Sequence, residues 1–326
     1  MANSWPHDHI KMTEHILVIL GSGLGRVVHA MGAAGALRKF HAAARIAAVT
    51  SSDAAAFARA MPFFDDVIVD DTAPLWRVTR IRDLRGRLRA QSFARVYDFG
   101  EAARSRLLCR LIHGWRVAPE DLPPTLWSSA AGDGRHFIAR ITQQLHAVGI
   151  SDVPGPDLGW VARTVTSYSA PFKMTEPFAL ICAEPGSGGD MNRELIIAAA
   201  RWYAARGLSP VLVGLSANPE LADEVRLAVP QTRDITGRAP AGDLVFLAWG
   251  AHSAVGPHSG ITTLIATAGC KTVILSGAGS DLVVDGPRGV HVATLQRDSI
   301  SGITFTEVAQ LLEGLTSSPG GPGRVS

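Results

Sequence analysis

The sequence lacks the features that mark several large classes of protein. Its 326 residues include three cysteines, which lie far apart and in no CxxC or Cys/His spacing, and this argues against a zinc site and a disulfide framework. No apolar run is long enough to cross a bilayer, and the run Ile16 to Leu20 is too short for the core of a signal peptide. The formal net charge of +2 gives no reason to expect a nucleic-acid partner. These shortages favour a cytoplasmic protein in a reducing compartment.

What the sequence does contain is typical of a packed globular protein. Hydrophobic residues make up 47% and charged residues 18% of the chain, which excludes disorder over most of its length. A chain of 326 residues is large for one hydrophobic core and comfortable for two. We expect a flexible N-terminus at 1–14, a domain at 15–165, a loop-rich linker at 166–177, a second domain at 178–316 and a disordered tail at 317–326.

The first half of the chain alternates predicted strands with predicted helices. The continuous apolar run His15 to Leu20 is typical of a strand that is buried on both faces. The glycine turn Gly21 to Gly25 follows it, and a helix rich in small residues is predicted from Arg26 to Phe40. Such alternation favours βαβ units and a parallel sheet. Further strands are predicted at Arg45–Thr50, Val67–Val69 and Arg95–Asp98, and a further helix at Ala102–Ile112.

The second half repeats this pattern. The predicted strand Phe178–Ala183 leads into the turn Glu184 to Gly189, and a helix follows from Asn192 to Arg206. Asn218 and Pro219 are a typical N-cap and first residue of another helix. The remaining predicted strands are Val211–Val213, Ser253–Val255, Thr272–Leu275 and Val290–Val292. We therefore expect two α/β domains whose carboxyl strand ends face a shared cleft, where open α/β sheets bind their ligands.

The first glycine turn, Gly21-Ser22-Gly23-Leu24-Gly25, has two interpretations. Its backbone amides and the helix N-terminus behind it suit a phosphate or a sugar, and a plain tight turn without a ligand is the alternative. Arg26 stands where the third glycine of a GxGxxG fingerprint would fall. This difference argues against a dinucleotide-dependent oxidoreductase.

Two further junctions in the second half suit the same kind of ligand. In Pro185 to Gly189, the backbone amides and Ser187 suit a diphosphate, with a plain turn as the alternative. In Val255 to Ile261, Ser259 and the amides after it would point at that diphosphate if the strands are neighbours. His258 in this junction is either a functional residue or an ordinary loop histidine.

The chain resembles the family 9 glycosyltransferases, the heptosyltransferases of lipopolysaccharide assembly. The similar stretches come in the family's order and span most of the chain, so the set is more specific than any one motif. They are Ile16–Ala34, Tyr97-Asp98 with Arg104–Leu108, Pro185–Gly189, Val211–Gly214, Asp234–Arg238 and Val255–Gly260 through Ser276-Gly277. The resemblance implies a GT-B fold, in which two Rossmann-like doubly wound domains face a central cleft. It also implies a nucleotide-sugar donor on the C-terminal domain and an acceptor on the N-terminal one.

The reaction implied by the resemblance is an inverting glycosyl transfer without metal or cofactor. A base removes the proton of an acceptor hydroxyl, its oxygen attacks the anomeric carbon, and helix N-termini and cations stabilise the departing diphosphate. An ADP-sugar is the favoured donor. The resemblance assigns its diphosphate to Ser187, Gly188, Ser259 and Gly260, and the nucleotide ribose to Glu220. The family usually has a lysine after the second junction, and Arg193 is the expected phosphate cation in its place. The residues implied on the acceptor side are Ser22, Gly23, Arg26, Asp98 and Arg104.

Two positions depart from the family where it carries acidic residues. Arg26 stands where the family has the aspartate thought to be the catalytic base, and an arginine accepts no proton at neutral pH. His258 replaces the family's aspartate in the third junction. His29, one helical turn from Arg26, and His258 are the expected bases, because histidine titrates near neutral pH, with Asp98 and Glu101 as alternatives. The competing hypothesis is a catalytically inactive relative that binds a sugar nucleotide or a partner protein.

One stretch of the first domain is strongly basic. Its arginines are Arg77, Arg80, Arg82, Arg85, Arg87, Arg89 and Arg95. A solvated helix face with a few acidic neighbours is one explanation. The other is attraction to an anionic glycan or glycolipid acceptor, or to the membrane surface that carries it. The second explanation predicts a cytoplasmic protein with a peripheral contact at the inner membrane.

Overall fold

The structure of the protein is a computed structural model. It describes residues 14–71, 78–100, 108, 112, 115–117, 134–164, 174–186, 192–289 and 291–317. Most of the two predicted flexible ends, most of the predicted helix Ala102–Ile112 and the first eight residues of the predicted linker lie outside the described residues. The exact domain boundaries therefore stay predictions.

The N-terminal domain is built on a parallel five-stranded sheet. The strand order is β3-β2-β1-β4-β5. Strands β2 and β3 are added on one side of β1, and β4 and β5 on the other side, so the strand order reverses between β1 and β4. The strands are β1 (His15–Gly21), β2 (Arg45–Thr50), β3 (Asp66–Val69), β4 (Arg95–Asp98) and β5 (Trp115–Val117). The helices are α1 (Leu24–Phe40), α2 (Ser52–Ala60), α3 (Val78–Ala90), α4 (Phe137–Ala147) and α5 (Val161–Thr164). The parallel sheet predicted from the alternating pattern is confirmed.

The C-terminal domain has a parallel sheet of six strands. Their order is β11-β10-β9-β6-β7-β8, with the reversal between β9 and β6. The strands are β6 (Phe178–Cys182), β7 (Ser209–Val213), β8 (Arg233–Asp234), β9 (Ala254–Pro257), β10 (Thr272–Ser276) and β11 (Val292–Gln296). The helices are α6 (Arg193–Ala204), α7 (Pro219–Ala228), α8 (Ala241–Gly250), α9 (Gly260–Thr267), α10 (Leu282–Asp285) and α11 (Phe305–Ser317).

Both sheets are covered on both faces, as the continuous apolar strands predict. Along β1, Ile16 and Val18 join one hydrophobic cluster, whereas Leu17 and Ile19 join another on the opposite face with Leu84 of α3. The cluster that contains Ile16 extends into the second domain through α8 and α9. This shared cluster lies between the two sheets and joins the domains, while each sheet has a separate cluster on its other face. No helix among the described residues is long and apolar enough to span a membrane.

Local signals explain where several elements begin and end. Asn218 caps α7, since its side-chain oxygen accepts a hydrogen bond from the amide of Leu221, and Pro219 is the first helical residue as predicted. The strand predicted at Val290–Val292 is displaced, because β11 runs from Val292 to Gln296, and Val290 lies outside the described residues. This edge strand alternates partly exposed and exposed residues, so a short apolar run does not mark its position.

Candidate active site at the domain junction

The three glycine junctions of the sequence meet at one place between the domains. A β-carbon on Gly25, in the first junction, would lie 3.5 Å from the α-carbon of Gly260 in the third. A β-carbon on Gly186, in the second, would lie 3.0 Å from the β-carbon of Pro257 and 3.4 Å from the carbonyl oxygen of His258. The junctions end β1, β6 and β9, so the carboxyl edges of both sheets meet there. Open α/β sheets bind ligands at this edge, where the strand order reverses.

The N-terminal domain has a cavity of about 230 Å³ at the carboxyl edge of its sheet. Ser22 and Arg26, both predicted on the acceptor side, line it. Asp70 at the end of β3 and Gly100 after β4 complete part of the wall. Gly23, whose φ of 88° favours glycine, donates its amide to the side chain of Ser51 at 2.8 Å and so fixes the turn beside the cavity. The cavity is large enough and polar enough to hold part of a sugar.

Asp98 stands apart from this cavity. Its side chain is wholly buried, and Oδ1 accepts a hydrogen bond from the amide of Gly100 at 3.0 Å. Its carbonyl oxygen accepts a hydrogen bond from Gln144 of α4. Asp98 therefore shapes the loop after β4 instead of lining the described cavity. Arg104, the remaining acceptor-side prediction, lies outside the described residues.

The C-terminal domain contributes a smaller cavity of about 60 Å³, also at its carboxyl edge. Gly186 and His258 line it together with the loop Ser276–Ser280. Ser259 caps α9, because its Oγ accepts a hydrogen bond from the amide of Thr262. Ser187 and Gly188, two of the predicted diphosphate contacts, lie outside the described residues.

Gly260 has a structural role that the sequence does not show. A β-carbon there would lie 2.9 Å from the β-carbon of Leu24 and 3.0 Å from the amide nitrogen of Gly25. Only a glycine lets the first turn of α9 approach the first turn of α1 this closely. The glycine thus sets the distance between the two domains.

Arg193 and Glu220, both predicted to contact the donor, face each other. The Arg193 guanidinium lies 2.5 Å from Oε1 of Glu224 and 3.7 Å from Oε2 of Glu220. The Glu220 side chain is 84% exposed, and neither residue lines the described cavities. In this structure the Arg193 charge is directed at two carboxylates, which weakens its predicted role as the phosphate cation.

A cluster of polar side chains joins the domains beside the first and third junctions. Arg26 Nη2 donates to Asp285 Oδ2 at 2.9 Å. The carbonyl oxygen of Asp285 lies 3.2 Å from Nε2 of His29 in the N-terminal domain. It lies 3.2 Å from Nε2 of His258 in the C-terminal domain as well. Nε2 of His136 lies 2.7 Å from the next carbonyl, that of Gly286. Asp285 is therefore the centre of the contact between the domains.

The environment of these histidines keeps them neutral at neutral pH. Burial, aided by the nearby His136, lowers the pKa of His29 to about 3. Burial also lowers the pKa of His136 and of His258 below the ordinary value. A neutral histidine whose Nε2 bonds a carbonyl carries its proton there and acts as a donor. Nε2 of His29 is engaged as a donor to the carbonyl oxygen of Asp285, which leaves only Nδ1 to accept a proton.

Sequence reasoning missed three residues of this region. Asp70 follows a buried strand, and a polar residue at the carboxyl edge of a parallel sheet indicates a ligand-binding position. His136 and Asp285 lie in no recognisable motif, and their partners are far along the chain. Within the described ranges, no group of three or more His, Cys, Asp or Glu side chains is arranged to hold a metal ion.

Two Rossmann-like domains with a ligand site between their carboxyl edges define the GT-B class of fold. Solved structures with this architecture cover nearly the whole chain. E. coli ADP-heptose lipopolysaccharide heptosyltransferase II is 19% identical, with a TM-score of 0.67 over 94% of this chain and 98% of that one. The family 9 glycosyl transferase of Veillonella parvula is 17% identical, with a TM-score of 0.69 over 93% and 97%.

A third similar structure is the E. coli heptosyltransferase WaaC with ADP. It is 16% identical and has a TM-score of 0.72 over 92% of this chain and 99% of that one. No protein-family model matches the chain, and no curated protein sequence matches it significantly. At these identities the comparisons show the fold, and the predicted GT-B fold of the heptosyltransferases is confirmed.

Proposed function

We propose that the protein is an inverting, metal-independent glycosyltransferase that moves a heptose or a related sugar from a nucleotide-sugar donor to a lipopolysaccharide or another cell-envelope glycan. The observation that carries the proposal is the meeting of the three glycine junctions at the domain contact. Had these junctions lain on separate surfaces, no common site for donor and acceptor would exist. Their meeting supports a reaction between a ligand on each domain.

The C-terminal domain is the proposed donor side. Ser259 and Gly260 begin α9, where the first-turn amides and the helix dipole favour a diphosphate. Ser187 and Gly188 would supply the second half of that contact, and Glu220 would reach the ribose. An ADP-sugar is the preferred donor because similar structures are described with ADP and with ADP-2-deoxy-2-fluoro heptose.

The N-terminal domain is the proposed acceptor side. Its cavity presents Ser22, Arg26 and Asp70 beside the domain contact, a polar lining that suits the hydroxyl groups of a glycan. In the transfer, the acceptor oxygen forms a bond to the anomeric carbon while the bond from that carbon to the diphosphate breaks. The diphosphate leaves with the electron pair, and the hydroxyl proton passes to a base.

The basic stretch supports an anionic acceptor or membrane surface. Helix α3 buries Leu84 and Leu88 against the sheet and exposes Arg80, Arg82 and Arg85. Arg77 lies outside the described residues, and Arg95 instead contacts Glu14, 2.7 Å from its Nε. We propose that α3 holds the cytoplasmic protein against the inner membrane that carries the acceptor.

This membrane contact has a direct test. Replacing Arg80, Arg82 and Arg85 together with glutamine removes three exposed charges and leaves the apolar face of α3 intact. Binding to vesicles with anionic lipid should fall by about 1 kcal/mol per arginine, and binding to neutral vesicles should not change. Equal binding of the variant and the wild type to anionic vesicles would contradict a membrane role for α3.

Turnover tests the proposed function. The protein is incubated with ADP-, UDP- and GDP-sugars and candidate glycan acceptors, and release of nucleoside diphosphate is measured. We expect ADP release with an ADP-sugar and thermal stabilisation by that sugar. Binding without release under every acceptor would support the catalytically inactive relative. No binding of any nucleotide sugar would contradict both hypotheses.

A further inference from the structure

The ion pair between Arg26 and Asp285 leaves half of each charged group without a partner. Only Nη2 and Oδ2 meet, at 2.9 Å. Nη1 of Arg26 and Oδ1 of Asp285 are both buried and have no hydrogen-bond partner among the described residues. A guanidinium and a carboxylate can form two parallel hydrogen bonds, so this single contact leaves hydrogen-bonding capacity on both groups.

A hydroxyl group satisfies both unpartnered atoms. It can donate its hydrogen to Oδ1 of Asp285 and accept a hydrogen bond from Nη1 of Arg26. Native proteins rarely leave buried charged atoms unsatisfied, so such a pair of atoms indicates a missing polar ligand or water. Arg26 also lines the acceptor-side cavity. Arg26 therefore links the carboxylate of Asp285 to the acceptor-side cavity, which Asp285 itself does not line.

Both domains hold Asp285 in a fixed position. Its carbonyl oxygen accepts hydrogen bonds from His29 of the N-terminal domain and His258 of the C-terminal domain. Its helix α10 is capped by Asp281, whose Oδ1 accepts hydrogen bonds from two backbone amides. Two histidines on one carbonyl position the backbone of Asp285, while its carboxylate contacts Arg26, which lines the acceptor-side cavity.

Two other carboxylates of the described residues, Asp98 and Asp70, are less well placed to take a proton. Asp98 is wholly buried and bonds the amide of Gly100. Asp70 lines the cavity from the end of β3, two strands from β1 and thus from the domain contact. Asp285 reaches the first glycine junction from the C-terminal domain, where the donor is expected.

We propose that Asp285 is the catalytic base of the transfer, with Arg26 holding its carboxylate and His29 and His258 as positioning residues. This proposal rests on the glycosyltransferase function proposed above. Oδ1 accepts the proton of the acceptor hydroxyl as the oxygen bonds to the anomeric carbon, and the bond to the nucleoside diphosphate breaks with both electrons on the diphosphate. The proton then passes from Asp285 to solvent. The arginine in the first junction thus holds a carboxylate from the opposite domain.

The first experiment compares two aspartates of one short helix. Asp285→Asn keeps the size of the side chain and an acceptor for Arg26 but removes the proton acceptor. Turnover of ADP-heptose, with the glycan acceptor or with water in its place, should fall at least about 100-fold. Binding of ADP to the variant should stay within about threefold of wild type. The control Asp281→Asn makes the same charge change, preserves the helix cap and should keep turnover within about twofold.

Two further variants test whether Asp285 is the catalytic base or only a structural contact. Asp285→Ala should lose turnover and regain part of it with sodium formate, since the small carboxylate can enter the vacated space and accept the proton. His29→Gln keeps a hydrogen-bond donor for the carbonyl of Asp285 and should lose turnover no more than about tenfold. A loss in His29→Gln as large as in Asp285→Asn, with no formate rescue of Asp285→Ala, would assign the base to His29 and overturn the proposal.

A crystal structure of the full chain tests the inference without turnover. We expect a water molecule or a ligand hydroxyl within hydrogen-bond distance of both Asp285 Oδ1 and Arg26 Nη1. A protein group bonded to both atoms would overturn the proposal, even in an active enzyme. If the wild type releases no nucleoside diphosphate from any donor, the proposed function fails, and the same crystal structure still decides whether Oδ1 is open to a hydroxyl.

Discussion

Helix α1 has a buried histidine cluster at each end, and the two clusters differ in how completely they are satisfied. Beyond its C-terminal end, Nε2 of His41 lies 2.9 Å from the hydroxyl of Tyr97, and Nδ1 lies 3.6 Å from Glu14. Near its N-terminal end, His29 bonds Asp285 through Nε2, and its Nδ1 has no partner among the residues that the structure describes. The first cluster lies within one domain, and the second joins two.

This difference indicates that the cluster around His41 stabilises the fold, whereas the cluster around His29 has polar atoms available to bind a ligand. A buried polar network that is fully satisfied holds a fold together, whereas unsatisfied buried atoms destabilise it unless something else binds them. The cluster around His41 lies where β1 and β4 begin, at the edge of the sheet away from the glycine junctions. The cluster around His29 lies at the carboxyl edge, where those junctions meet. Changes at the two ends should therefore affect different properties.

After the substitution of Asp285, the largest effect is expected from closing the space at Gly260. Alanine there would place a β-carbon 2.9 Å from the β-carbon of Leu24 and force α9 away from α1. Overpacking of this kind costs about 1–3 kcal/mol, so the close approach of the domains, and turnover with it, should fall about tenfold or more. Turnover of nucleotide sugar measures the effect. Turnover within twofold of wild type would show that the reaction tolerates a wider domain contact.

Gly86→Ala is the matched control for this substitution. Gly86 lies on the exposed side of α3, and a β-carbon there would meet no atom of the described residues within 4 Å. Alanine is favoured over glycine within a helix, so the variant should gain about 0.5–1 kcal/mol of unfolding free energy. Its turnover should match the wild type. A similar loss in both variants would mean that Gly260→Ala acts through general stability.

Acid should lower the free energy of unfolding through the histidines at both ends of α1, because the folded protein lowers the pKa of both. Burial lowers the pKa of His29 to about 3 and, with the charges of Arg95 and Arg38, that of His41 to about 4. The same histidines take up a proton near pH 6.5 in the unfolded chain, so neither lowers the free energy of unfolding above that pH. As the pH falls below 6.5, the free energy of unfolding decreases, down to about pH 4 for His41 and about pH 3 for His29. Each proton contributes a slope of about 1.4 kcal/mol per pH unit.

Single substitutions distinguish the two contributions. His41→Gln and His29→Gln should each flatten the dependence of unfolding free energy on pH between 6.5 and 4, as measured by urea titration at several pH values. Scattering near pH 3 distinguishes the ends further, because protonation of His29 is relieved by separating the domains and protonation of His41 is not. Equal compactness of the wild type and His29→Gln near pH 3 would contradict this link between His29 and the domain contact.

The sequence allows much of the fold to be predicted because buried parallel strands are continuous apolar runs. β2 and β4 begin and end where the runs Arg45–Thr50 and Arg95–Asp98 do. The edge strand β11 begins later than its apolar run predicts because its residues alternate in exposure. The short strand β8 and the helix α8 are absent from the sequence-based prediction. Local patterns thus locate the centre of each sheet better than its edges.

The candidate site can be predicted only in part. The glycine junctions are local motifs, and their meeting follows from parallel sheets. Arg26 and His29 are predicted together because they lie one helical turn apart, but a helix spacing does not show what they face. Asp285 is 259 positions from Arg26 and has no motif of its own, so only the folded chain brings the two together. The charges that complete the site come from this long-range contact.

The smallest effect is expected at the satisfied end of α1. Tyr97→Phe removes the hydroxyl that bonds His41, in a region where burial raises the pKa of Tyr97 to about 12 and keeps it neutral. Leaving His41 Nε2 without its buried partner should lower the unfolding free energy by about 1–2 kcal/mol, measured by urea denaturation. Turnover should stay unchanged where the variant is folded, because the site at the other end of α1 is untouched. A fall in turnover without a fall in stability would show that the two ends are coupled through the helix, and the division between a stabilising end and a ligand-binding end would be lost.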